Sequence, residues 1–201
     1  RADESTGLGG EVRIGAYSSN KRSVIIPYIA PLFLWNPKVR LKLQGAVIRE
    51  LPELILTRHL DYIVKYGQIH RADLESVLLG EEEYVMVHSH DFPPSEEVYL
   101  DHDPDDPVTA QFLALQGTSP GNYRRSFMDD IYGICDGVAL GVGRAVISRH
   151  LVESDERLVI DERFKSMLAP VYLHYLHQPF YTELQKHVLD ALKTGCPPLL
   201  S

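Results

Sequence analysis

Polar residues that could bind a small molecule stand directly after three apolar segments early in the chain. The first run, Ser18–Asn20, consists of residues that cap helices. A helix start presents N–H groups and a partial positive charge that can hold a carboxylate or phosphate. The other two runs include an amide and a lysine that could pair with an anion. Plain helix caps and a solvated lysine explain them equally well, so both interpretations stay open. The candidates are Ser18, Ser19, Asn20, Gln44, Gly45, Lys65 and Tyr66.

The segment from Asp101 to Asp106 is the most unusual local feature of the sequence. Asp101, Asp103 and Asp105 match the opening of a calcium-binding loop, but Asp106 and Phe112 stand where such a loop requires glycine and glutamate. We therefore predict no metal site. An aspartate before a proline, either Asp105 or Asp106, instead fits the N-cap of a helix. Carboxylates at that helix start would repel an anion and favour an amine, another cation or a polar neutral ligand.

Three arginines argue against a cationic ligand. Arg124, Arg125 and Arg144 stand near other predicted strand ends, so the sequence leaves the charge of the ligand open. Ser126 and Asp129, at the end of a strand predicted over 123–128, are further residues expected to line the site.

Catalytic chemistry finds little support in the sequence. There is no GxSxG, HExxH or P-loop motif, and Gly141–Gly143 lacks the full dinucleotide-binding pattern. The histidines are scattered, and Cys135 lies among apolar residues of a predicted helix, which indicates a buried inert thiol. We therefore predict a protein that is not an enzyme and that uses no cofactor.

The polar runs need elements to position them, and hydrophobic periodicity predicts those elements. Residues 11–17 and 39–43 alternate, 60–64 form a short apolar strand, and helical stripes lie over 25–32 and 47–59. Strands joined by helices with short connections form a parallel sheet through right-handed crossovers. The first part of the chain is therefore predicted to be an α/β lobe.

A second alternation follows a strand at 84–87 and a break at 91–95. Strands at 98–100, 123–128 and 145–148 alternate with helices at 108–115 and 130–140, and a strand at 171–176 and a helix at 180–193 come last. We predict a linker over 1–10, lobe I over 11–89 plus 169–201, and lobe II over 90–168. Ligands favour strand ends and clefts, so we expect one site between the lobes, lined by the loops after the strands.

Composition narrows the class of protein. The chain has 201 residues and a net charge of −8, which makes it a poor candidate for holding a nucleic-acid backbone by itself. No apolar stretch reaches the roughly 18 residues that a membrane span needs. The start, Arg1–Gly10, lacks the plan of a signal peptide, and the two cysteines show no CxxC spacing. We expect a cytoplasmic protein with reduced thiols.

Several short segments together carry a family resemblance. In order, they are 12–16 (VRIGA), 26–27 (IP), 36–41 (NPKVRL), 60–63 (LDYI), 73–76 (DLES), 84–87 (YVMV), 137–146 (GVALGVGRAV) and 150–152 (HLV). Their order and spacing resemble the substrate-binding domain of LysR-type transcriptional regulators, over residues 11–193.

The resemblance implies a type II periplasmic-binding-protein-like fold with two Rossmann-like lobes and a small-molecule effector in the cleft. It also implies side-by-side antiparallel dimers within a homo-oligomer, and DNA binding only through a winged helix-turn-helix located before residue 1. Effector binding would change lobe closure and thereby subunit packing. An exported solute-binding protein of the same fold is the alternative. An enzyme on this fold would require a nucleophile or acid–base pair that the sequence does not show.

Overall fold

The chain forms two compact α/β units. The computed structural model describes residues 7–45, 50–92, 98–117, 123–195 and 199–200. Unit 1 comprises Arg1–Glu81 and Pro170–Leu200, and unit 2 comprises Glu82–Ala169. Two strands, β4 (Leu74–Ser89) and β9 (Met167–Leu176), contribute residues to both units. The predicted lobe boundaries at 89 and 168 lie in these same two strands.

Unit 1 is built on a mixed sheet. Its strand order is β4-β9-β3-β1-β2, with β1 (Gly10–Ala16), β2 (Val39–Gln44) and β3 (Tyr62–Tyr66) parallel to one another. β9 runs antiparallel to β3. The helices are α1 (Ser18–Asn20), a π-helical turn (Lys21–Ile25), α2 (Ile26–Trp35), α3 (Leu51–Leu56) and α7 (Glu183–Gly195). The sheet and helix order agrees with the parallel α/β lobe that periodicity predicted.

The core of unit 1 follows directly from the alternation in β1. Val12, Ile14 and Ala16 are buried and belong to one cluster with Val188 and Leu192 of α7. Each buried aliphatic side chain of this size contributes roughly 1.5–3 kcal/mol relative to exposure. The amphipathic stripe of α7 therefore fixes this helix on the face of the sheet that carries the even residues of β1.

The π-helical turn lies just before the first proline of the first long helix. Pro27 has no N–H to donate to the carbonyl four residues earlier, and its ring crowds that carbonyl. A wider turn over Lys21–Ile25, ending two residues before Pro27, accommodates both effects. Pro31 lies inside α2, which nevertheless continues to Trp35.

Unit 2 has a second sheet arrangement with parallel strands at its centre. β5 (Val98–Asp101) pairs in parallel with β6 (Arg124–Phe127), and a parallel bridge from Tyr99 to Arg144 joins β5 to β7 (Ala145–Ser148). β7 and β8 (Leu158–Ile160) run antiparallel to β4. The helices are α4 (Val108–Leu115), α5 (Ile131–Ala139) and α6 (Arg149–Glu153). A short strand β10 (Leu199–Leu200), which belongs to unit 1, also pairs with β4.

Four elements differ from the sequence prediction. β4 is one strand of 16 residues rather than the short strand 84–87, and α3 is a short helix within the predicted 47–59, part of which lies outside the described residues. The short elements α6 and β8 were not predicted, because three to five residues are too few to show a period. No helix among the described residues is both long and apolar enough to cross a membrane.

Candidate functional site

Unit 1 brings the ends of three parallel strands to one edge of its sheet. β1 lies between β2 and β3, with Gly15 opposite Gln44 and Ala16 opposite Val64. The segments that follow these strands therefore emerge side by side, where ligands bind in open α/β sheets. This edge gathers all the unit 1 candidates: Ser18, Ser19, Asn20, Gln44, Gly45, Lys65 and Tyr66.

The first helical turn after β1 contributes buried polar side chains to this edge. Ser19 is 5% exposed and Asn20 is 1% exposed, whereas Ser18 is half-buried. The turn begins after Tyr17, which is extended, and the Lys21 amide donates to the Tyr17 carbonyl at 2.9 Å. A helix does begin after the first strand, as predicted, but its N-cap is Tyr17, without a side-chain capping bond, and Ser18–Asn20 lie inside the helix.

Lys21 adds a cation that the sequence analysis missed. Its Nζ lies 3.4 Å from the position that a Cβ at Gly45 would take, so the ammonium group reaches from the end of β1 to the end of β2. A bulkier residue at 45 would crowd that ammonium. A helix start and a lysine both attract negative charge, so this corner of unit 1 suits an anionic group. The sequence could have indicated Lys21, because it directly follows the polar run Ser18–Asn20.

Lys65 and Tyr66 are the last two residues of β3 rather than part of the following loop. They pair with Tyr172 and Val171 of β9. Lys65 Nζ donates to the Tyr66 carbonyl at 2.5 Å and to the Gly67 carbonyl at 3.0 Å, and burial lowers the pKa of Lys65. Much of the hydrogen-bonding capacity of this lysine therefore stabilises its own turn.

A buried histidine lies beside Lys65. His174 of β9 is fully buried, and its Nδ1 is 2.8 Å from the Ser76 hydroxyl. Burial, together with the nearby charge of Lys65, lowers the pKa of His174 to about 4. The ring is therefore neutral at physiological pH, and the positive charge at the end of β3 belongs to the lysine alone.

Unit 2 has a corresponding edge. The carboxyl ends of β5, β6 and β7 point the same way, and the middle of antiparallel β4 lies there because Tyr84 lies opposite Ser148. The predicted candidates Asp105, Ser126 and Asp129 lie at or near these ends. Ser126 is half-buried in β6, whereas Asp105 and Asp129 are exposed. Asp129 has a φ of 66°, a left-handed conformation that aspartate and asparagine tolerate better than most residues.

The acidic loop after β5 is organised around a guanidinium group. Arg125 Nε donates to Asp101 at 2.5 Å, and its terminal nitrogens donate to the carbonyls of Pro104 at 3.0 Å and Asp106 at 2.7 Å. A further bond reaches the Asp103 carbonyl at 3.3 Å. One arginine thus binds the Asp101 carboxylate and three backbone carbonyl oxygens of this loop. Among the described ranges, no cluster of histidine, cysteine and acidic residues is arranged to hold a metal.

The N-cap position of the following helix is Pro107, not the predicted Asp105 or Asp106, although Asp106 accepts from the first helical amide. Asp106 Oδ1 accepts from the Val108 amide at 3.0 Å, and its Oδ2 lies 3.0 Å from His102 Nδ1. Burial acts to raise the pKa of Asp106, but the hydrogen bond and charge of His102 and the backbone amides outweigh it, so the pKa is lowered. Asp101 behaves in the opposite way: burial raises its pKa although Thr109 and Arg125 donate to it.

A buried acid in the middle of β4 was also missed from the sequence. Glu82 is fully buried and accepts from the Tyr84 hydroxyl at 2.9 Å, and His150 Nδ1 lies 3.9 Å from its other oxygen. Burial and the Glu82 charge raise the pKa of Tyr84 well above its ordinary value. Selecting polar residues that follow predicted strands would have found Ser148 and His150. Glu82 escaped this selection because it lies two residues before the strand predicted over 84–87.

Two of the three arginines that suggested an anionic ligand lie at the opposite strand ends. Arg124 is the first residue of β6, opposite Val98, and Arg144 immediately precedes β7. Arg144 is 3% exposed and its Nη1 lies 3.9 Å from Asp161. Of these three arginines, only Arg125 reaches the loop after β5, where it forms an ion pair with Asp101.

Unit 1 also has a hollow away from the strand ends of β1 and β2. It has a volume of about 480 Å³ and is lined by polar groups of Gln68–Ala72 and Leu74–Ser76. Arg71 pairs there with Asp73 and His177 pairs with Glu75, so the charges around this hollow are matched by neighbours.

The chain is similar to known proteins in both sequence and structure. A model of the LysR substrate binding domain matches residues 5–197. No curated protein matches the chain significantly. Similar solved structures include the cofactor-binding domain of the Cbl transcriptional regulator, with 16% identity, a TM-score of 0.77, and coverage of 98% of this chain and 94% of that one.

Two further solved structures resemble the chain at similar levels. The effector-binding domain of QuiR in complex with shikimate has 12% identity, a TM-score of 0.75 and coverage of 94% and 98%. Full-length LysG from Corynebacterium glutamicum, with bound effector Arg, has 14% identity and a TM-score of 0.72, with coverage of 92% of this chain and 66% of that one. These likenesses confirm the type II periplasmic-binding-protein-like fold predicted from the sequence.

Proposed function

Because the chain belongs to the LysR substrate-binding-domain family, it is an effector-binding regulatory domain, and we propose that its strand-end residues bind the effector. The family match over residues 5–197 carries this proposal. The alternative of an exported solute-binding protein is not favoured, since the similar structures include regulators of transcription.

The unit 1 edge supports the proposal through its unusual concentration of buried polar groups. Ser19 and Asn20 are buried at the start of a helix, and Lys21 reaches across to Gly45. The Lys21 ammonium beside the first helical turn favours a ligand that carries a negatively charged or acceptor group at this edge.

Regulation then follows from unequal affinity for two conformations. An effector can shift a conformational equilibrium only by as much as its affinities for the two states differ. The chain passes between the two units within β4 and β9. A conformational change in one unit can therefore be transmitted to the other through these two continuous strands. We propose that this change controls DNA binding by a winged helix-turn-helix outside the chain.

The remaining features are proposed on the same basis. The domain acts without catalysis, in the cytoplasm, and as a homo-oligomer. Leu34 and Trp35 at the end of α2 are 79% and 81% exposed, and exposed large apolar side chains of this kind support a subunit interface. Replacement of Trp35 by glutamate should lower the sedimentation coefficient if α2 lies in that interface.

Isothermal titration of the folded protein against a panel of metabolites tests the binding function. We expect saturable binding of at least one compound, and weaker binding by the Ser18→Ala variant. Ser154→Ala is the matched control, because Ser154 donates to the Leu151 carbonyl in a turn after α6. Absence of binding by any metabolite to properly folded protein, or equal loss in both variants, would contradict the proposal.

A further inference from the structure

A polar hollow in unit 1 lies between the end of β3 and the first residues of β4. It has a volume of about 480 Å³ and is lined by Gln68–Ala72 and Leu74–Ser76. Small-molecule sites in proteins generally have volumes of roughly 300–1,000 Å³. The hollow is therefore large enough for a metabolite, and the strand-end residues proposed to bind the effector do not line it.

Hydrogen bonds within unit 1 hold the walls of the hollow in place. At its beginning, the Gly67 amide donates to the Pro170 carbonyl at 2.9 Å, and the φ of Gly67 is 72°, which glycine adopts without strain. At its end, the Ser76 hydroxyl lies 3.3 Å from the Ile69 carbonyl oxygen. The loop is thus tied to neighbouring backbone at both ends, and a site ordered in advance costs a ligand less binding free energy.

The hollow presents one cation and one anion, each with unused hydrogen-bonding capacity. Arg71 donates to Asp73 through Nε and Nη2, both at 2.9 Å, and its Nη1 has no partner among the described residues. Glu75 Oε1 lies 2.5 Å from His177 Nδ1, and nothing in the described ranges donates to its Oε2. Both pairs are exposed, and exposed ion pairs stabilise proteins little. A ligand can therefore contact both charges with little loss of existing interactions.

Two neutral side chains complete the lining. Gln68 and His70 are exposed, and neither side chain makes a hydrogen bond within the part of the chain that the structure describes. Water now solvates these groups, and a polar ligand can exchange that water for direct hydrogen bonds. The hollow thus combines a donor cation, an acceptor anion and neutral polar groups.

From these observations we infer that the hollow binds a small zwitterion, a compound with one ammonium and one carboxylate group, at a site separate from the strand-end edge. The carboxylate accepts from Nη1 of Arg71, and the ammonium donates to Oε2 of Glu75. Hydrogen bonds between charged groups are about twice as strong as neutral ones, so each charge of the ligand adds to the affinity. A compound with one charge would satisfy only one of the two groups.

A buried histidine beside the hollow reports on its occupancy. The Ser76 hydroxyl lines the hollow and lies 2.8 Å from Nδ1 of His174, which is fully buried. A ligand that contacts Ser76 changes the hydrogen bond that this ring nitrogen shares. The nitrogen resonances of the His174 ring therefore distinguish binding in the hollow from binding elsewhere. His187, an exposed histidine of α7, is the reference.

The test is calorimetric titration with compounds that share a carbon skeleton and differ in charge. Leucine is compared with 4-methylpentanoate and 3-methylbutylamine, phenylalanine with 3-phenylpropanoate and 2-phenylethylamine, and 4-aminobutanoate with butanoate and propylamine. We expect at least one zwitterion to bind roughly tenfold or more tightly than both of its singly charged analogues. In NMR spectra, the same zwitterion should shift the ring nitrogen resonances of His174 and leave those of His187 unchanged.

Variants locate the interaction in the hollow. Arg71→Gln and Glu75→Gln should each weaken binding of the zwitterion roughly tenfold or more, since each removes one charge that faces the ligand. Arg40→Gln and Glu156→Gln are the matched controls. Arg40 is an exposed cation of β2, and Glu156 is an exposed acid in the turn between α6 and β8, so both should bind like the wild type.

The other outcomes overturn the inference and leave the proposed function distinguishable. Equal binding of a zwitterion and one of its singly charged analogues would refute the recognition of both charges. Binding that Ser18→Ala weakens and Arg71→Gln does not would refute the hollow and support the strand-end edge instead. If no zwitterion bound to the folded protein, the inference would fail, whereas the effector-binding function would still be decided by the wider metabolite panel.

Discussion

Arg125 and Asp101 form a pair that organises the acidic loop of unit 2. The guanidinium donates to the buried carboxylate at 2.5 Å and also to three carbonyl oxygens between Asp103 and Asp106. One side chain thus holds the end of β5 and the start of α4 in a single arrangement. The loop therefore keeps its shape without a bound metal ion, with Asp105 exposed and Asp106 buried at the start of α4.

Replacement of Arg125 by methionine should destabilise the protein. The change leaves the Asp101 carboxylate buried without a cation, and loss of one partner of a largely buried pair costs about 2–4 kcal/mol. Urea denaturation measures the free energy of unfolding. Arg124→Met is the control on the same strand, since Arg124 is exposed. Similar losses in the two variants would show that Arg125 has no special role.

Stability should fall as the pH drops from 6.5 to 4 because of His174. The unfolded chain binds a proton at this residue below about pH 6.5, whereas burial lowers the folded pKa to about 4, so the unfolded state binds more protons over this interval. The associated loss is about 3 kcal/mol. Unfolding free energies measured at several pH values in that range should show a shallower decline for His174→Gln than for the wild type.

His177→Gln is the matched control for the pH measurement. His177 is exposed and lies beside Glu75, so its replacement should leave the slope between pH 6.5 and 4 close to that of the wild type. A wild-type slope retained in His174→Gln would mean that another group causes the acid sensitivity.

Gly143→Ala should loosen the contact between β5 and β7. A Cβ at this position would lie 2.7 Å from the Val98 carbonyl oxygen and 3.1 Å from a methyl group of Leu100. Because a backbone carbonyl cannot move aside cheaply, we expect a loss of about 1–3 kcal/mol. Thermal unfolding provides the measurement. Gly7→Ala, where a Cβ would meet nothing within 4 Å, should be nearly neutral. Full stability of Gly143→Ala would disprove the close packing.

Two buried serines should respond to different extents to replacement by alanine in the absence of ligand. Ser89 Oγ donates to the Ala139 carbonyl at 2.8 Å and accepts from two amides, so Ser89→Ala should lose about 1–3 kcal/mol. Ser148 Oγ makes no capping bond to α6 and, among the described residues, lies beside the Tyr84 hydroxyl alone, so Ser148→Ala should lose less than about 1 kcal/mol. Denaturant unfolding of both variants decides the matter. Equal destabilisation would indicate that Ser148 has a second structural partner.

Local periodicity was sufficient for much of the fold and for part of the candidate site. The alternation of β1, the stripe of α7 and the polar run after Ala16 are properties of neighbouring residues, so the sequence alone indicated a parallel α/β arrangement with polar strand ends. The ordered motifs then indicated the family. Predicted site residues such as Asn20 and Gln44 lie at the expected edge, although their contact with an effector stays a prediction.

Other features depended on the direction and order of strands, which local patterns do not specify. Arg124, Arg125 and Arg144 look alike in the sequence, but only the sheet shows that two of them lie at the amino ends of strands and that the third is paired inside the acidic loop. Glu82 and Ser148 are 66 positions apart in the chain, and the antiparallel pairing of β4 with β7 brings their segments to one edge. The sequence determined which residues can form strands and where polar groups follow them. The tertiary structure decided which charges neutralise each other, because electrostatic pairing depends on distances between segments remote in the chain.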